Sequence, residues 1–400
     1  MKYALVIPDG AADGPQDALG GKTPLAAADT PNMDSVARSG AVGTVVTIPD
    51  GFPPGSDVAI MSVLGYDPRE FYSGRAPLEA ASMGIALGPG DWALRCNLVT
   101  IADGAMADYS AGHISSAEAA GLIASLAAEL GGQGVEFHAG KSYRHLLVLR
   151  GAGRIEVETT PPHDIAGRQV HEYLPQGPDG KLLRSLMAKA EPVLARHEVN
   201  IRRVRDGRPA ATGIWLWGQG RAAKFPAFKD VYGARAAVIT AVDLVAGICA
   251  LAGWQRIVVP GATGYYDTDF RGKGAAAAEA LERFDLVFVH VEAPDEASHN
   301  RDAAAKVKAI ENVDRDVVGP LIDALAAFGP HRMLVLPDHY TLLSTAGHAR
   351  GAVPFAIAGD GVPASGAAGF CEEAAGNGPQ FASGPRLMRA FLGKVTPWVS

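Results

Sequence analysis

Seven residues spread along the chain are of types that ligate metal ions or act as nucleophiles: Asp9, Ser56, Asp295, His299, Asp338, His339 and His348. Asp295 and His299 lie four apart in Pro294–His299, so on a helix their carboxylate and imidazole share a face and could grip one cation. Asp338 and His339 are adjacent, hence splayed to different sides, and His348 follows nine residues after His339 in Ser-Thr-Ala-Gly-His. Imidazoles with carboxylates suit zinc or manganese, and a carboxylate-rich set also admits magnesium. Ser56 follows Gly55, directly after the Pro- and Gly-rich loop Pro49–Pro54 and ahead of an apolar helical pattern. At the positive end of a helix dipole its hydroxyl could hold an anion, or become a nucleophile beside a metal. The plainer alternative is that Ser56 is an N-cap.

These residues need elements that bring them together, and the apolar runs supply a pattern. Tyr3–Ile7 ends in Asp9-Gly10, Phe284–Val291 leads into Glu292 and Asp295, and Arg332–Leu336 leads into Asp338-His339. Short runs without alternation suit parallel strands covered on both faces. Open α/β sheets place their chemistry at the carboxyl ends of such strands. Helical patterns between them cover Ala236–Ala252, Gly274–Arg283 and Ala303–Phe328. The middle of the chain reads differently, with separated strands, polar loops, a helix over Ser116–Leu130 and the breakers Pro161-Pro162 and Pro175–Pro178. The pattern predicts a core domain from residues 1–75 and 233–400, with a second domain, 76–232, inserted into it.

Length supports the division, because 400 residues exceed what one compact core usually holds. Hydrophobic residues at 48% and charged residues at 20% describe a globular chain, so disorder is excluded as its main state. A net charge of −7 argues against nucleic acid or an anionic membrane as partner, yet permits a small anionic substrate held by local cations. Cys96, Cys249 and Cys371 form no CxxC pair, which points to a reducing compartment. The apolar run after Lys2 stops at Pro8-Asp9, too short for a signal peptide, so the expected location is the cytoplasm. Ala236–Trp254 is apolar but carries Asp243, and reads as a buried helix rather than a membrane span.

The ordered motifs carry more than any one of them alone. Ile7-Pro-Asp-Gly-Ala-Ala-Asp-Gly, Gly55-Ser-Asp-Val-Ala, Leu64-Gly-Tyr-Asp-Pro and Tyr72-Ser-Gly-Arg-Ala-Pro-Leu-Glu-Ala come first. They are followed by Arg95-Cys-Asn-Leu-Val-Thr, Asp108-Tyr-Ser-Ala-Gly-His-Ile-Ser and Trp215-Leu-Trp-Gly-Gln-Gly. His290-Val-Glu-Ala-Pro-Asp-Glu-Ala-Ser-His and Asp338-His-Tyr-Thr close the series. Over nearly its whole length the chain resembles the archaeal-type cofactor-independent phosphoglycerate mutases of the alkaline phosphatase superfamily.

That resemblance implies an α/β alkaline-phosphatase-like core, its mainly parallel sheet flanked by helices, plus a smaller inserted α/β lid. It implies two divalent metal ions (Mn2+, Zn2+ or Mg2+) and no bisphosphoglycerate. Asp9, Ser56, Asp338 and His339 would hold one metal, Asp295, His299 and His348 the other, and Ser56 would be transiently phosphorylated. The substrate would be a small phosphorylated hydroxy acid, met by His113, Lys273 and Arg168. Arg202, Arg203, Arg205 and Arg208 read instead as a solvated edge. Thr341 is followed by Leu342 where the family often has proline, and Gly51-Phe-Pro-Pro-Gly-Ser-Asp is similar to a subgroup proposed to be homoserine kinases. A kinase or phosphatase acting on a small metabolite is therefore the alternative, although no GxxxxGK[ST] loop is present. Ser56 also lacks the [CS]-x-P-x-R context of a sulfatase.

Overall fold

The computed structural model describes residues 1–223 and 225–395. The chain forms two compact units, Met1–Tyr72 with Lys224–Ser400, and Ser73–Ala223. Both seams fall earlier in the chain than the sequence pattern places them. Helix Arg75–Ser82 sets Ala76 and Ala80 against Ala93 and Leu146 of the second unit. Helix Phe228–Tyr232 belongs to the first unit, with Phe228 packed edge-on to Trp254 and the Tyr232 hydroxyl donating to the Gly65 carbonyl.

The first unit is built on an eight-stranded sheet. Its strand order is Gln380–Phe381, Ala41–Val46, Ala352–Gly359, His331–Val335, Lys2–Pro8, Leu286–Val291, Ala236–Ile239 and Gln255–Arg256. Only Ala352–Gly359 runs against the others. All six residues of Leu286–Val291 are buried, as are all of Lys2–Pro8 after Lys2. That explains the unbroken apolar runs, each buried large aliphatic side chain stabilising by about 1.5–3 kcal/mol.

One helical expectation is corrected and a second is refined. Ala236–Ala252 is not one helix but the buried strand Ala236–Ile239, a break, and the helix Asp243–Leu251. An all-apolar stretch has no periodicity with which to separate strand from helix. Ala303–Phe328 is helical but not uniform, running as Ala303–Val313, a π-helical turn Asp314–Val318, and Gly319–Ala326. At that turn the backbone of Asp316 lies so close to Gly274 that a Cβ there would meet its carbonyl oxygen at 2.0 Å. Among the described residues no helix is long and apolar enough to cross a membrane.

The second unit is an antiparallel sheet with helices. Trp92–Ala102 is central, paired with Arg144–Leu149 on one side and Gly213–Arg221 on the other. Helix Ser116–Leu130 begins with a capping box between Ser115 and Glu118, and buries Leu122, Ile123 and Leu126. One member of the arginine cluster departs from its expected solvated edge. Arg203 is fully buried, pairing with Glu118 at 2.9 Å and donating to the Ala111 and Pro209 carbonyls at 2.7 Å each. Arg202, Arg205 and Arg208 are exposed.

Candidate metal centre

Three neighbouring parallel strands end at one place. Lys2–Pro8 lies between His331–Val335 and Leu286–Val291, and beyond their carboxyl ends stand Asp9, Asp338-His339 and Glu292–Asp295. Pro294 stands in the first turn of the short helix Ala293–His299, which puts Asp295 and His299 on one face with Oδ2 and Nε2 3.0 Å apart. A two-stranded hairpin, Tyr340–Leu342 with Gly347–Ala349, sets His348 directly across from Thr341. The His348 Nε2 lies 3.4 Å from Asp295 Oδ1 and 3.1 Å from His299 Nε2.

Ser56 arrives from another direction as the first residue of helix Ser56–Val63. Gly55 occupies the N-cap position, so Ser56 is no cap. Its Oγ instead lies 3.1 Å from His339 Nε2. That nitrogen is also 3.5 Å from Asp9 Oδ1 and 3.3 Å from Asp338 Oδ2. All seven residues picked out in the sequence thus meet in the first unit.

The hydrogen bonds fix which atoms are left over. Asp338 Oδ1 accepts from the backbone N–H groups of Gly10 and His339, whereas its Oδ2 has no partner. Asp9 Oδ2 is bonded to His290 Nε2 at 2.9 Å, and Asp9 Oδ1 has none. Thr341 Oγ1 donates to Asp295 Oδ1 at 2.6 Å, so at 3.1 Å it accepts from His339 Nδ1–H. His339 Nε2 is then a lone pair facing two buried acceptor oxygens. His299 likewise commits Nδ1 to the Ala346 carbonyl at 2.9 Å, leaving Nε2 toward Asp295. Converging lone pairs of this kind call for a cation, and nitrogen–oxygen sets with the far imidazole nitrogen tied down are how proteins hold divalent metals. Asp295, His299 and His348 offer ligand atoms within 4.8 Å of one another, as do Asp9, Asp295 and His339. The donor set therefore fits divalent metal ions.

Electrostatics point the same way. Burial, with the Asp338, Asp295 and Glu292 carboxylates beside it, pushes Asp9 well above the usual carboxylate range. Burial and the Asp295 charge push Glu292 up to about 8. Burial acts against the Asp295 carboxylate too, but hydrogen bonds from His299 and His348 hold it well below the usual range. The Asp295 hydrogen bond raises His299 to about 9, while burial lowers His339 and takes His290 down to about 3. Crowded buried carboxylates are a state that bound cations relieve.

Several supporting residues were not singled out in the sequence. His290 lies within the strand Leu286–Val291, with Nδ1 3.2 Å from Thr240 Oγ1 and Nε2 on Asp9. Lys306 and Asp13 form a fully buried ion pair at 2.9 Å. Lys306 also donates to the Thr341 carbonyl, and Asp13 accepts from the Leu343 N–H. A polar residue inside an apolar stripe is the sequence signal for both, since Lys306 shares the buried helix face of Ala309, Ile310 and Val313. Lys306→Met should leave Asp13 buried and unpaired and cost about 3–5 kcal/mol of stability, measurable by chemical denaturation.

Gly10 is required for two reasons. Its φ is +59°, and a Cβ there would meet Thr341 Oγ1 at 2.4 Å and Asp295 Oδ1 at 2.6 Å. Gly10→Ala should therefore lower kcat/KM on the order of 100-fold by displacing those two groups. A thermal melt recorded alongside distinguishes this from loss of the fold.

The three substrate-cation candidates are divided between the two units. Lys273 is 1% exposed and donates to the His290 carbonyl at 3.2 Å, beneath the carboxylates, with burial taking its pKa down to about 8. His113 and Arg168 belong to the second unit. His113 is exposed at a left-handed φ of 46°, with its N–H donating to Ser110 Oγ, and Arg168 is exposed with its guanidinium donating to the Tyr173 hydroxyl.

A mixed α/β fold with carboxylates, imidazoles and a helix-initial serine at the carboxyl edge of a parallel sheet defines a metal-binding enzyme core. The family described as 2,3-bisphosphoglycerate-independent phosphoglycerate mutase matches residues 37–200. The protein of that name from Methanosarcina barkeri is 53% identical, the match covering 94% of this chain and 96% of the relative. A relative from Methanothermobacter thermautotrophicus, 2,3-bisphosphoglycerate-independent phosphoglycerate mutase 2, is 52% identical over 91% of this chain and 90% of its own. The solved structure of a Pyrococcus horikoshii protein superposes with a TM-score of 0.83 at 29% identity, covering 98% of each chain. A cofactor-independent phosphoglycerate mutase from Thermoplasma acidophilum superposes with a TM-score of 0.70 at 25% identity, covering 98% of this chain and all of that one. The chain belongs to the 2,3-bisphosphoglycerate-independent phosphoglycerate mutase family.

Proposed function

We propose that this chain interconverts 3-phosphoglycerate and 2-phosphoglycerate in the cytoplasm, without a bisphosphoglycerate cofactor, through a phosphoserine at Ser56. The observation that carries this reading is Ser56 Oγ, 3.1 Å from His339 Nε2, beside the unpartnered oxygens of Asp9 and Asp338. Asp9, Ser56, Asp338 and His339 would hold one divalent ion, and Asp295, His299 and His348 a second, with Mn2+, Zn2+ and Mg2+ all compatible with the donors. Such ions, when bound, would supply the positive charge that activates a hydroxyl and offsets charge on a transferring phosphoryl group.

Ser56 Oγ forms a bond to phosphorus as the phosphorus–oxygen bond to the glycerate carbon skeleton breaks. The proton given up by Ser56 ends on the departing glycerate hydroxyl. Glycerate turns, its other hydroxyl attacks the phosphoserine, and Ser56 regains a proton. Position at a helix N-terminus favours the added negative charge on Ser56. Lys273 contributes a buried positive charge beneath the carboxylates. His113 and Arg168, on the inserted unit, would bind the substrate's anionic groups while that unit serves as a lid against water.

The test is to incubate 3-phosphoglycerate with the enzyme and labelled free glycerate. Formation of 2-phosphoglycerate with little label and little free phosphate is the expected result. Dominant phosphate release would make the enzyme a phosphatase. Inert phosphoglycerates together with phosphohomoserine formed from homoserine and ATP would make it a kinase.

A further inference from the structure

We infer that Thr341 is a positioning residue that couples the two halves of the metal centre, an inference that rests on the metal-binding reading above. Thr341 is fully buried on the hairpin strand Tyr340–Leu342, directly across from His348. Its hydroxyl has one proton and lies between two ligand candidates from opposite halves. It donates to Asp295 Oδ1 at 2.6 Å and accepts from His339 Nδ1–H at 3.1 Å. A hydroxyl in this position does two things together. It holds His339 in the Nδ1–H tautomer, so that the Nε2 lone pair faces Ser56, Asp9 and Asp338. It also occupies one face of Asp295 Oδ1, directing the carboxylate toward His299 and His348.

The surroundings hold this hydroxyl in place. The Thr341 carbonyl accepts from Lys306 Nζ at 2.8 Å, and its N–H donates to the Ala12 carbonyl at 3.2 Å. Gly10 leaves no spare room on the remaining side. The orientation of His339 in one half is thereby tied to the orientation of Asp295 in the other.

The test uses the full chain and the variants Thr341→Val, which keeps the shape and removes the hydroxyl, Thr341→Ser, which keeps the hydroxyl, and Thr341→Ala. Long-range proton–nitrogen NMR of the imidazoles in metal-free protein reads the tautomer without reference to activity. His339 should be Nδ1-protonated in the parent and in Thr341→Ser, and mixed or Nε2-protonated in Thr341→Val. Calorimetric titration with Mn2+ should show affinity falling by 10- to 100-fold in Thr341→Val and recovering to within a few-fold in Thr341→Ser. Thr341→Ala serves if Thr341→Val does not fold. An unchanged tautomer with unchanged Mn2+ affinity in a folded hydroxyl-free variant would overturn the inference. Loss of thermal stability with both readouts unmoved would reduce Thr341 to a structural residue. A parent chain that binds no Mn2+, Zn2+ or Mg2+ would instead sink the metal reading, whatever the tautomer shows.

Discussion

Ser56→Ala should lose turnover by four to six orders of magnitude, on the order of what removing the nucleophile of a covalent mechanism costs. The structure sharpens the expectation, because Gly55 and not Ser56 stands at the N-cap. The alanine variant therefore forfeits no cap, and its melting temperature should stay close to that of the parent. A serine that merely started the helix would leave kcat nearly intact, so activity and stability separate the two roles. Mass spectrometry of enzyme quenched with 3-phosphoglycerate should place phosphate on the peptide containing Ser56. Phosphate found only on other peptides removes Ser56 from the mechanism.

The second large effect concerns metal. Chelation should abolish activity and added divalent metal should restore it, because divalent ions would supply the positive charge that the crowded carboxylates and the transferring phosphoryl group require. Lys273, the buried cation beneath them, is committed to the His290 carbonyl. His348→Ala removes one of three clustered donors, the other two being Asp295 and His299. Loss of a residue that only orients a ligand costs 10- to 100-fold in metal affinity, so loss of the ligand should cost at least about 100-fold. Elemental analysis should find one equivalent fewer per chain in His348→Ala, with an unchanged far-ultraviolet spectrum. Full turnover by protein shown to be metal-free would refute the two-metal mechanism.

How much of this was readable in the sequence follows from where each residue sits. Asp9, Asp295 and the Asp338-His339 pair stand where apolar strands stop, and the end of a buried strand is visible in one dimension. Ser56 was visible through the Pro- and Gly-rich loop before it, but whether it caps or reacts depended on Gly55, which only three dimensions decide. Thr341 stood in the closing motif Asp338-His-Tyr-Thr, but its role was not legible there, because it comes from lying opposite His348 across a hairpin, a register that no short motif encodes. His290 was concealed by its own strand, since a histidine among valines shifts the pattern little. Ala236–Ala252 was misread for a related reason, uniform apolarity erasing the difference between period 2 and period 3.6. Arg203 was grouped with exposed neighbours although Glu118, its partner, lies 85 positions earlier.

The split of the first unit across the chain also sets the order in which the protein can be made. Strand Lys2–Pro8 finds its neighbours only at Leu286–Val291 and His331–Val335, and the Tyr3 hydroxyl bonds to the Leu392 carbonyl. At roughly 5–20 residues per second, a ribosome needs about 15–60 s between the first strand and its first partner. Ser73–Ala223 encodes a whole sheet with its own apolar core, and can be complete while the opening segment still waits. Asp295, His299, Asp338, His339 and His348 all emerge after it. A nascent chain interrupted before them would carry the segment of the inserted unit and no reactive centre, so catalytic competence arrives only after His348 has been made.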